Sequence, residues 1–232
     1  MRADPVESHR SDTSVSRRLR LGLAGVCSIL LVVSCGGAEQ SAGADGPSTP
    51  GSTRSSATVI AADGSDVALV DLGDAGAVAA WTTVNDPVMG GRSTSTVTFG
   101  GGGLAFSGNL SLENSGGFAS ARGPEDPEIG SKATGSTSLR VRALGDGKTY
   151  LVKAGIAGQP WSYVQRFPTE AGVQRDYVLP VEGFEPVGMR LDPDPDAPRR
   201  LDPSGIDQLS VYVLDKQQGP FAVTVRAIDA TF

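Results

Sequence analysis

The chain has 232 residues with 20 basic and 26 acidic side chains, and its net charge of −6 argues against nucleic acid as a partner. Its only histidine, His9, and both cysteines, Cys27 and Cys35, lie in the first 35 residues. Ser-His-Asp catalysis, Cys-His catalysis and the usual zinc sites are therefore excluded from the rest of the chain.

Residues 1–34 have the pattern of a bacterial lipoprotein signal peptide. Three arginines between residues 17 and 20 precede a short apolar stretch over 21–33, which leads into the lipobox Val-Val-Ser-Cys ending at Cys35. The stretch is shorter than the about 20 residues of a transmembrane helix. We expect lipidation of Cys35 and attachment to the cell membrane on its extracytoplasmic face; an uncleaved anchor is the alternative.

Residues 35–66 are predicted to be the lipidated cysteine followed by a flexible tether. The segment is rich in Gly, Ser, Ala, Thr and Pro and contains no aromatic residue, so it lacks the apolar surface that folding requires. Removal of residues 1–34, which hold five Arg and three acidic residues, leaves 15 basic and 23 acidic groups and a net charge of −8. The folded domain is predicted over 67–232.

The domain is predicted to be all-β. Residues 139–143 alternate strictly between apolar and arginine side chains, and the turn sequence Gly-Asp-Gly-Lys follows at 145–148. Short strands are expected at 93–99, 104–108, 118–122, 139–143, 150–154, 163–167, 176–179, 206–214 and 221–227. No window has a sustained helical period, so the pattern favours a β-sandwich or jelly roll.

A long excursion over 183–204 contains alternating aspartates at 192, 194 and 196. Clustered carboxylates suggest a Ca²⁺ site. The intervening prolines, however, keep the backbone extended and spread the carboxylates apart. We therefore predict a solvated loop and no metal.

Residues 81–93, Trp-Thr-Thr-Val-Asn-Asp-Pro-Val-Met-Gly-Gly-Arg-Ser, form the main candidate site. Asn85-Asp86-Pro87 favours a turn, and Gly90-Gly91 allows positive φ. A loop specified this closely often carries function. Catalysis, ligand binding and partner binding all remain open from this segment alone.

Enzymatic activity is not predicted. Residues 100–105 loosely match a dinucleotide fingerprint, but a strand or turn follows where the anion-binding helix is required, so no nucleotide cofactor is expected. Paired carboxylates such as Asp86 and Glu113 keep glycoside hydrolysis as an alternative. Trp161, which follows Gly158-Gln-Pro160, is the aromatic residue most expected to be exposed, and it is a candidate contact for a sugar.

Five segments in order resemble the NADH:ubiquinone oxidoreductase intermediate-associated protein 30 (complex I intermediate-associated protein 30) family over residues 68–232. They are Trp81 with Asn85–Ser93, Phe106–Gly108, Glu113–Ser120, Gly145–Tyr150 and Asp215–Phe221. The resemblance implies a galactose-binding-like jelly roll and a non-catalytic role, with some relatives assisting assembly of respiratory complex I. The sequence departs from the family at Pro87, where Gly is usual, and at Ser115, where Asn is usual.

The resemblance also implies a set of residues that contact a partner or ligand. These candidates, with Trp161 added for the reason given above, are Asn85, Asp86, Met89, Gly90, Gly91, Gly116, Gly117, Phe118, Trp161, Asp215, Lys216 and Gln217. Architectural roles are the alternative, above all for the glycines. The expected ligand is a protein partner, or alternatively a cell-wall or extracellular glycan.

Overall fold

The computed structural model describes residues 66–232, which form two six-stranded antiparallel sheets around a shared core. The prediction of an all-β jelly roll is confirmed. The predicted signal peptide, Cys35 and almost all of the tether lie outside the described residues. In chain order the strands are β1 (Val67–Asp71), β2 (Thr82–Asn85), β3 (Thr94–Gly100), β4 (Gly103–Leu110), β5 (Ala119–Arg122), β6 (Ser138–Leu144), β7 (Thr149–Ile156), β8 (Ser162–Pro168), β9 (Gln174–Pro180), β10 (Glu185–Val187), β11 (Ile206–Val213) and β12 (Gly219–Thr231).

The first sheet has the order β3-β4-β12-β6-β9, with β1 also paired to β12. The second has the order β10-β8-β7-β11-β5-β2. Two short helices, α1 (Ala75–Ala79) and α2 (Glu128–Ala133), lie between strands. In the described part of the chain, neither helix has the length and apolarity that a membrane span requires.

Period-two alternation determines which side chains enter the core. In β7, Tyr150, Val152 and Ala154 are buried between the sheets, whereas Leu151 belongs to a second apolar cluster on the outer face. That outer cluster joins Leu151, Val164, Val187 and Tyr212, with Phe118, Leu191 and Leu214 packed against it. The second sheet is therefore apolar on both faces.

The long strand β12 changes partners along its length. Its pairing with β6 shifts in register between Val225 and Ala227. Residues before the shift pair with β4, and residues after it pair with β1. Such a bulge bends a strand locally. Here it separates the part of β12 that pairs with β4 from the part that pairs with β1.

The sequence patterns missed β1, β2, β10 and both helices. Helix α1 has only five residues, too few to show a period, and it begins at Asp74, whose carboxylate accepts hydrogen bonds from the amides of Gly76 (2.7 Å) and Ala77 (3.0 Å). Strand β10 has three residues and contains Pro186, which is tolerated because β10 lies at a sheet edge. Strand β2 lies inside the 81–93 segment, for which the sequence patterns predict no strand before residue 93.

One row of paired residues defines the end of the sandwich where the candidate site lies. Asn85 pairs with Ala119, Ala119 with Val213, Val213 with Tyr150, and Tyr150 with Phe167. The loops that continue from this row therefore share one end of the second sheet. They include four of the five segments on which the family resemblance rests.

Candidate functional site

The carboxylate of Asp86 connects two loops at this end of the sandwich. Asp86 is buried, with 1% of its surface exposed. One oxygen accepts the Ser93 amide (2.7 Å), and the other accepts the Ser93 hydroxyl, the Gly117 amide (2.6 Å) and the Phe118 amide (3.3 Å). Four donors from two loops therefore converge on one side chain, which leaves it poorly placed to act as a catalytic base.

The segments Asn85–Ser93 and Glu113–Ser120, on which the family resemblance partly rests, are called the signature below, and two of its glycines make room for this carboxylate. A Cβ atom on Gly91 would lie 2.4 Å from Asp86 Oδ1, and one on Gly116 would lie 2.7 Å from Asp86 Oδ2. Gly90 and Gly117 are required for a different reason, since their φ angles of 90° and 131° lie in the region that favours glycine. All four glycines thus have an architectural role.

Asn85 joins the two sheets. Its side-chain amide and the Ser95 hydroxyl are hydrogen-bonded at 2.7 Å, which links β2 of the second sheet to β3 of the first. The Asn114 amide donates to the carbonyl of Gly90 at 3.1 Å and so connects the same two loops that Asp86 holds. The polar part of the signature therefore holds this end of the fold together.

The apolar part of the same segment faces outwards. Residues Asp86–Met89 form one turn of 3₁₀-helix with Pro87 near its start and Gly90 closing it in the left-handed conformation. Because Asp86 points inwards, the turn exposes Val88 and Met89, which are 71% and 63% accessible. One short segment supplies both an internal anchor and an exposed apolar surface.

Val88 and Met89 line a groove of about 470 Å³ on the outer face of the second sheet, which we call the signature groove. Its opposite wall comes from the 183–204 excursion, where Met189 is 87% exposed. Phe118 and Tyr212 lie at its floor with ring centroids 6.4 Å apart. Its lining residues are Val84, Val88, Met89, Asn114, Ser115, Phe118, Arg122, Met189, Arg190, Leu191 and Tyr212.

Both charged residues that line the signature groove are arginines, although the protein as a whole is acidic. The guanidinium of Arg122 lies 5.7 Å from the ring centroid of Tyr212, a cation–π geometry. Its Nε donates to the Ser120 hydroxyl at 3.3 Å, and that hydroxyl donates to the Val84 carbonyl at 2.6 Å. Arg122 is therefore held in position beside the apolar floor.

The sequence patterns missed several residues of the groove. Phe118, Ser120 and Arg122 alternate with two buried alanines in β5, so period two could have placed Arg122 beside Phe118. Met189 is apolar within a polar, proline-rich excursion, which was a second usable signal. Tyr212 gave no such signal, because both faces of β11 are buried.

Asp215, Lys216 and Gln217 form the turn after β11 at the same end of the sandwich, but they do not line the signature groove. Asp215 forms a bidentate ion pair with Arg166 (2.7 and 2.8 Å). The Gln217 amide accepts from Thr149 N (2.8 Å) and donates to Thr149 O (2.7 Å). Lys216 is exposed. Contact between these three residues and a partner stays a prediction.

Both tryptophans pack against the main core. Trp161, the aromatic residue most expected to be exposed, is half-buried, because it precedes β8 on the inward-facing side; its contact with a sugar stays a prediction. Trp81 is buried in the same core and lies under Gly123, where a Cβ atom would be 3.1 Å from the indole. The aspartates at 192, 194 and 196 belong to no group of three or more metal-ligand side chains in residues 66–232.

Acid is expected to destabilise the domain through Asp86. Burial raises the pKa of this carboxyl, but hydrogen bonds from Ser93, Gly117 and Phe118 outweigh burial and hold the pKa below its ordinary value. The carboxylate therefore stabilises the fold above the unfolded-state pKa of about 3.9, and this contribution is lost as pH falls through the folded-state pKa.

Thermal unfolding followed by circular dichroism between about pH 7 and pH 2 should show this loss. We expect Asp86→Asn to have a lower Tm than the natural protein at neutral pH, and its Tm to fall less on acidification. Parallel pH profiles for the variant and the natural protein would contradict the assignment.

No curated protein matches the chain by sequence. Among solved structures, the family 11 carbohydrate-binding module of the cellulosomal cellulase Lic26A-Cel5E of Clostridium thermocellum has 13% identity and a TM-score of 0.51, over 72% of this chain and 95% of that module. A family 11 module from Clostridium thermocellum in complex with a β-1,3-1,4-mixed-linked tetrasaccharide has 13% identity and a TM-score of 0.43, over 65% and 88%. The agarase AgWH50C has 10% identity and a TM-score of 0.48, over 71% of this chain and 24% of that enzyme.

At 13% identity, the similarity to the family 11 module of Lic26A-Cel5E establishes the fold alone. The sequence model of the complex I intermediate-associated protein 30 family matches residues 70–225, which include Asp86 with its surrounding glycines and every residue that lines the signature groove. Family and fold together support a non-catalytic binding domain. The chain belongs to the complex I intermediate-associated protein 30 family.

Proposed function

We propose that this protein is a lipid-anchored, extracytoplasmic binding domain that holds a protein partner in the signature groove and assists assembly of a membrane-associated complex. The lipobox ending at Cys35 and the tether over 35–66 support the anchored location. The family's association with an intermediate of complex I supports a role in assembly.

The exposed apolar rim of the signature groove is the observation that carries this proposal. Val88, Met89 and Met189 are each more than half exposed, yet they gather around one groove. Contiguous exposed apolar surface of this kind marks interaction sites in soluble domains. Unbranched methionine side chains adapt to apolar partners, so they suit a protein segment with aliphatic or aromatic side chains.

The lining chemistry also favours binding over catalysis. None of the described residues that line the signature groove is His, Cys, Asp or Glu. The buried carboxylate of the signature, Asp86, is occupied by four hydrogen bonds inside the fold. The groove therefore presents apolar contact and positive charge.

Glycan binding is the alternative, supported by the jelly-roll fold. Sugars bind by stacking on aromatic faces, but of the two aromatic residues of the groove Tyr212 is only 3% exposed and Phe118 is half-buried. The exposed residues of its lining are Val88, Met89 and Met189 together with the polar Asn114, Ser115 and Arg190, and none of them is aromatic. This arrangement favours a protein segment over a sugar ring.

Panning a random phage-displayed peptide library against the full-length protein tests the proposal. We expect enrichment of peptides with two or more apolar residues, and binding at least about tenfold weaker to Met89→Ser/Met189→Ser, since burial of one methionine side chain contributes about 1.5–3 kcal/mol. Val178→Ser is the matched control, because Val178 is 55% exposed on the first sheet.

Peptide affinity that is equal for the natural protein and the double variant would contradict the groove as the site. Failure to enrich any peptide, together with retention of the protein on a glycan array, would establish the alternative function. Trp161→Ala then distinguishes a glycan site at Trp161 from one in the signature groove, since Trp161 packs on the main core and does not line the groove.

A further inference from the structure

Two cationic side chains share one row on the outer face of the second sheet, beside the signature groove. Arg122 of β5 pairs with Ser210 of β11, and Ser210 pairs with Lys153 of β7. Adjacent strands lie about 4.8 Å apart, so the backbones at Arg122 and Lys153 are about 10 Å apart. Two long cations therefore flank a short serine, which is itself buried.

Neither cation has an acidic partner within the described part of the chain. Arg122 and Lys153 form no ion pair there, whereas Arg166, on the neighbouring row, has Asp215. Burial and the charge of Arg122 lower the pKa of Lys153. Two half-buried like charges destabilise one another, and a bound anion would relieve that repulsion.

The cation pair adjoins the apolar groove through Arg122. Arg122 lines the signature groove, and its hydrogen bond to Ser120 and its contact with the Tyr212 ring hold it there. A segment seated in the groove would pass Arg122 directly. An anion on that segment would then lie beside its apolar residues.

We propose that Arg122 and Lys153 together bind a carboxylate of the protein partner, next to the apolar residues that fill the signature groove. This inference rests on the proposed protein-binding function. Hydrogen bonds between charged groups are stronger than neutral ones, and arginine matches carboxylate geometry. The carboxylate belongs to an Asp or Glu residue or to the carboxyl terminus of the partner, and both supply the same chemistry.

The groove-binding peptides recovered by panning provide the probe. Each is resynthesised with Gln or Asn in place of its acidic residues, and separately with an amidated C-terminus, and is titrated against the full-length protein. We expect one of these two peptide changes to lower the affinity at least about tenfold, and Arg122→Gln and Lys153→Met to lower it by a similar factor. Binding of the unmodified peptide should weaken as the salt concentration rises. Arg175→Gln, on β9 of the other sheet, is the matched control and should stay within about twofold.

Three results would overturn the inference. If peptide binding requires Met89 and Met189 but is unchanged in Arg122→Gln and Lys153→Met, the carboxylate site is refuted and the proposed groove function stands. A complete lack of groove-binding peptides would remove the function itself. Binding of oligogalacturonate that depends on both cations, without peptide binding, would assign the site to an acidic glycan.

A spectroscopic readout separates charge pairing from a general structural effect. The pKa of Lys153, followed by the NMR shift of its Cε carbon, should rise when the acidic peptide is added, because a carboxylate favours the charged ammonium. It should stay unchanged with the Gln or Asn peptide. An unchanged pKa with the acidic peptide would contradict a carboxylate at this position.

Discussion

Replacement of Asp86 by alanine is expected to destabilise the domain by about 3–5 kcal/mol, since each buried donor left without an acceptor costs about 1–3 kcal/mol. The affected donors are the Ser93 amide and hydroxyl and the amides of Gly117 and Phe118. Small domains have a total stability of only about 5–15 kcal/mol, so the loss is a large share. The Tm should fall by roughly 10 °C in thermal unfolding.

The matched control is Asp196→Asn, because Asp196 is an exposed aspartate in the 183–204 excursion. Its effect should stay within about 0.5 kcal/mol. Equal effects for the Asp86 and Asp196 variants would show that the buried carboxylate does not hold the two loops together.

Gly91→Ala should destabilise the domain by about 3 kcal/mol, because its Cβ would overlap Asp86, with 2.4 Å to Cγ and Oδ1. Gly90→Ala should cost only about 1–2 kcal/mol. At Gly90 the φ of 90° is strained for alanine, but a Cβ atom would meet nothing within 4 Å. The two adjacent glycines are thus expected to differ in the stability lost on substitution by alanine, because only the Cβ at position 91 meets other atoms.

Urea unfolding of both variants and of Asp86→Ala/Gly91→Ala measures this difference. The double variant should lose less stability than the sum of its two single changes, because truncation of Asp86 leaves room for the new methyl group. A strictly additive double variant, or a Gly90 variant as unstable as the Gly91 variant, would refute the packing explanation.

Much of the fold follows from period-two alternation and turn residues. Strands such as β6 and β12 alternate over enough residues for the pattern to be recognised. Strand β10 and helix α1 are too short to carry a pattern, and tertiary contacts define them. The β-sandwich could therefore be predicted, whereas its edges and connections could not.

The candidate site was predictable only in part. The signature identified Asp86 and its glycines, but which side chains of residues 86–89 face inwards depends on a 3₁₀ turn that their order does not dictate. The pairing of Arg122 and Lys153 depends on the register of three strands distant in sequence. Register between distant strands cannot be inferred from any local stretch of sequence, so this cation pair could be identified only from the structure.

Photo-crosslinking from the groove tests its role as a protein-binding site most directly. The full-length protein would carry p-benzoylphenylalanine at Met89 or, as the control, at Val178, and would be irradiated in membranes of the cells that produce it. Both positions are more than half exposed, but only Met89 lines the signature groove. We expect a discrete protein adduct from position 89 and none from position 178. Absence of any protein adduct at 89, or the same adducts from both positions, would contradict a protein-binding groove.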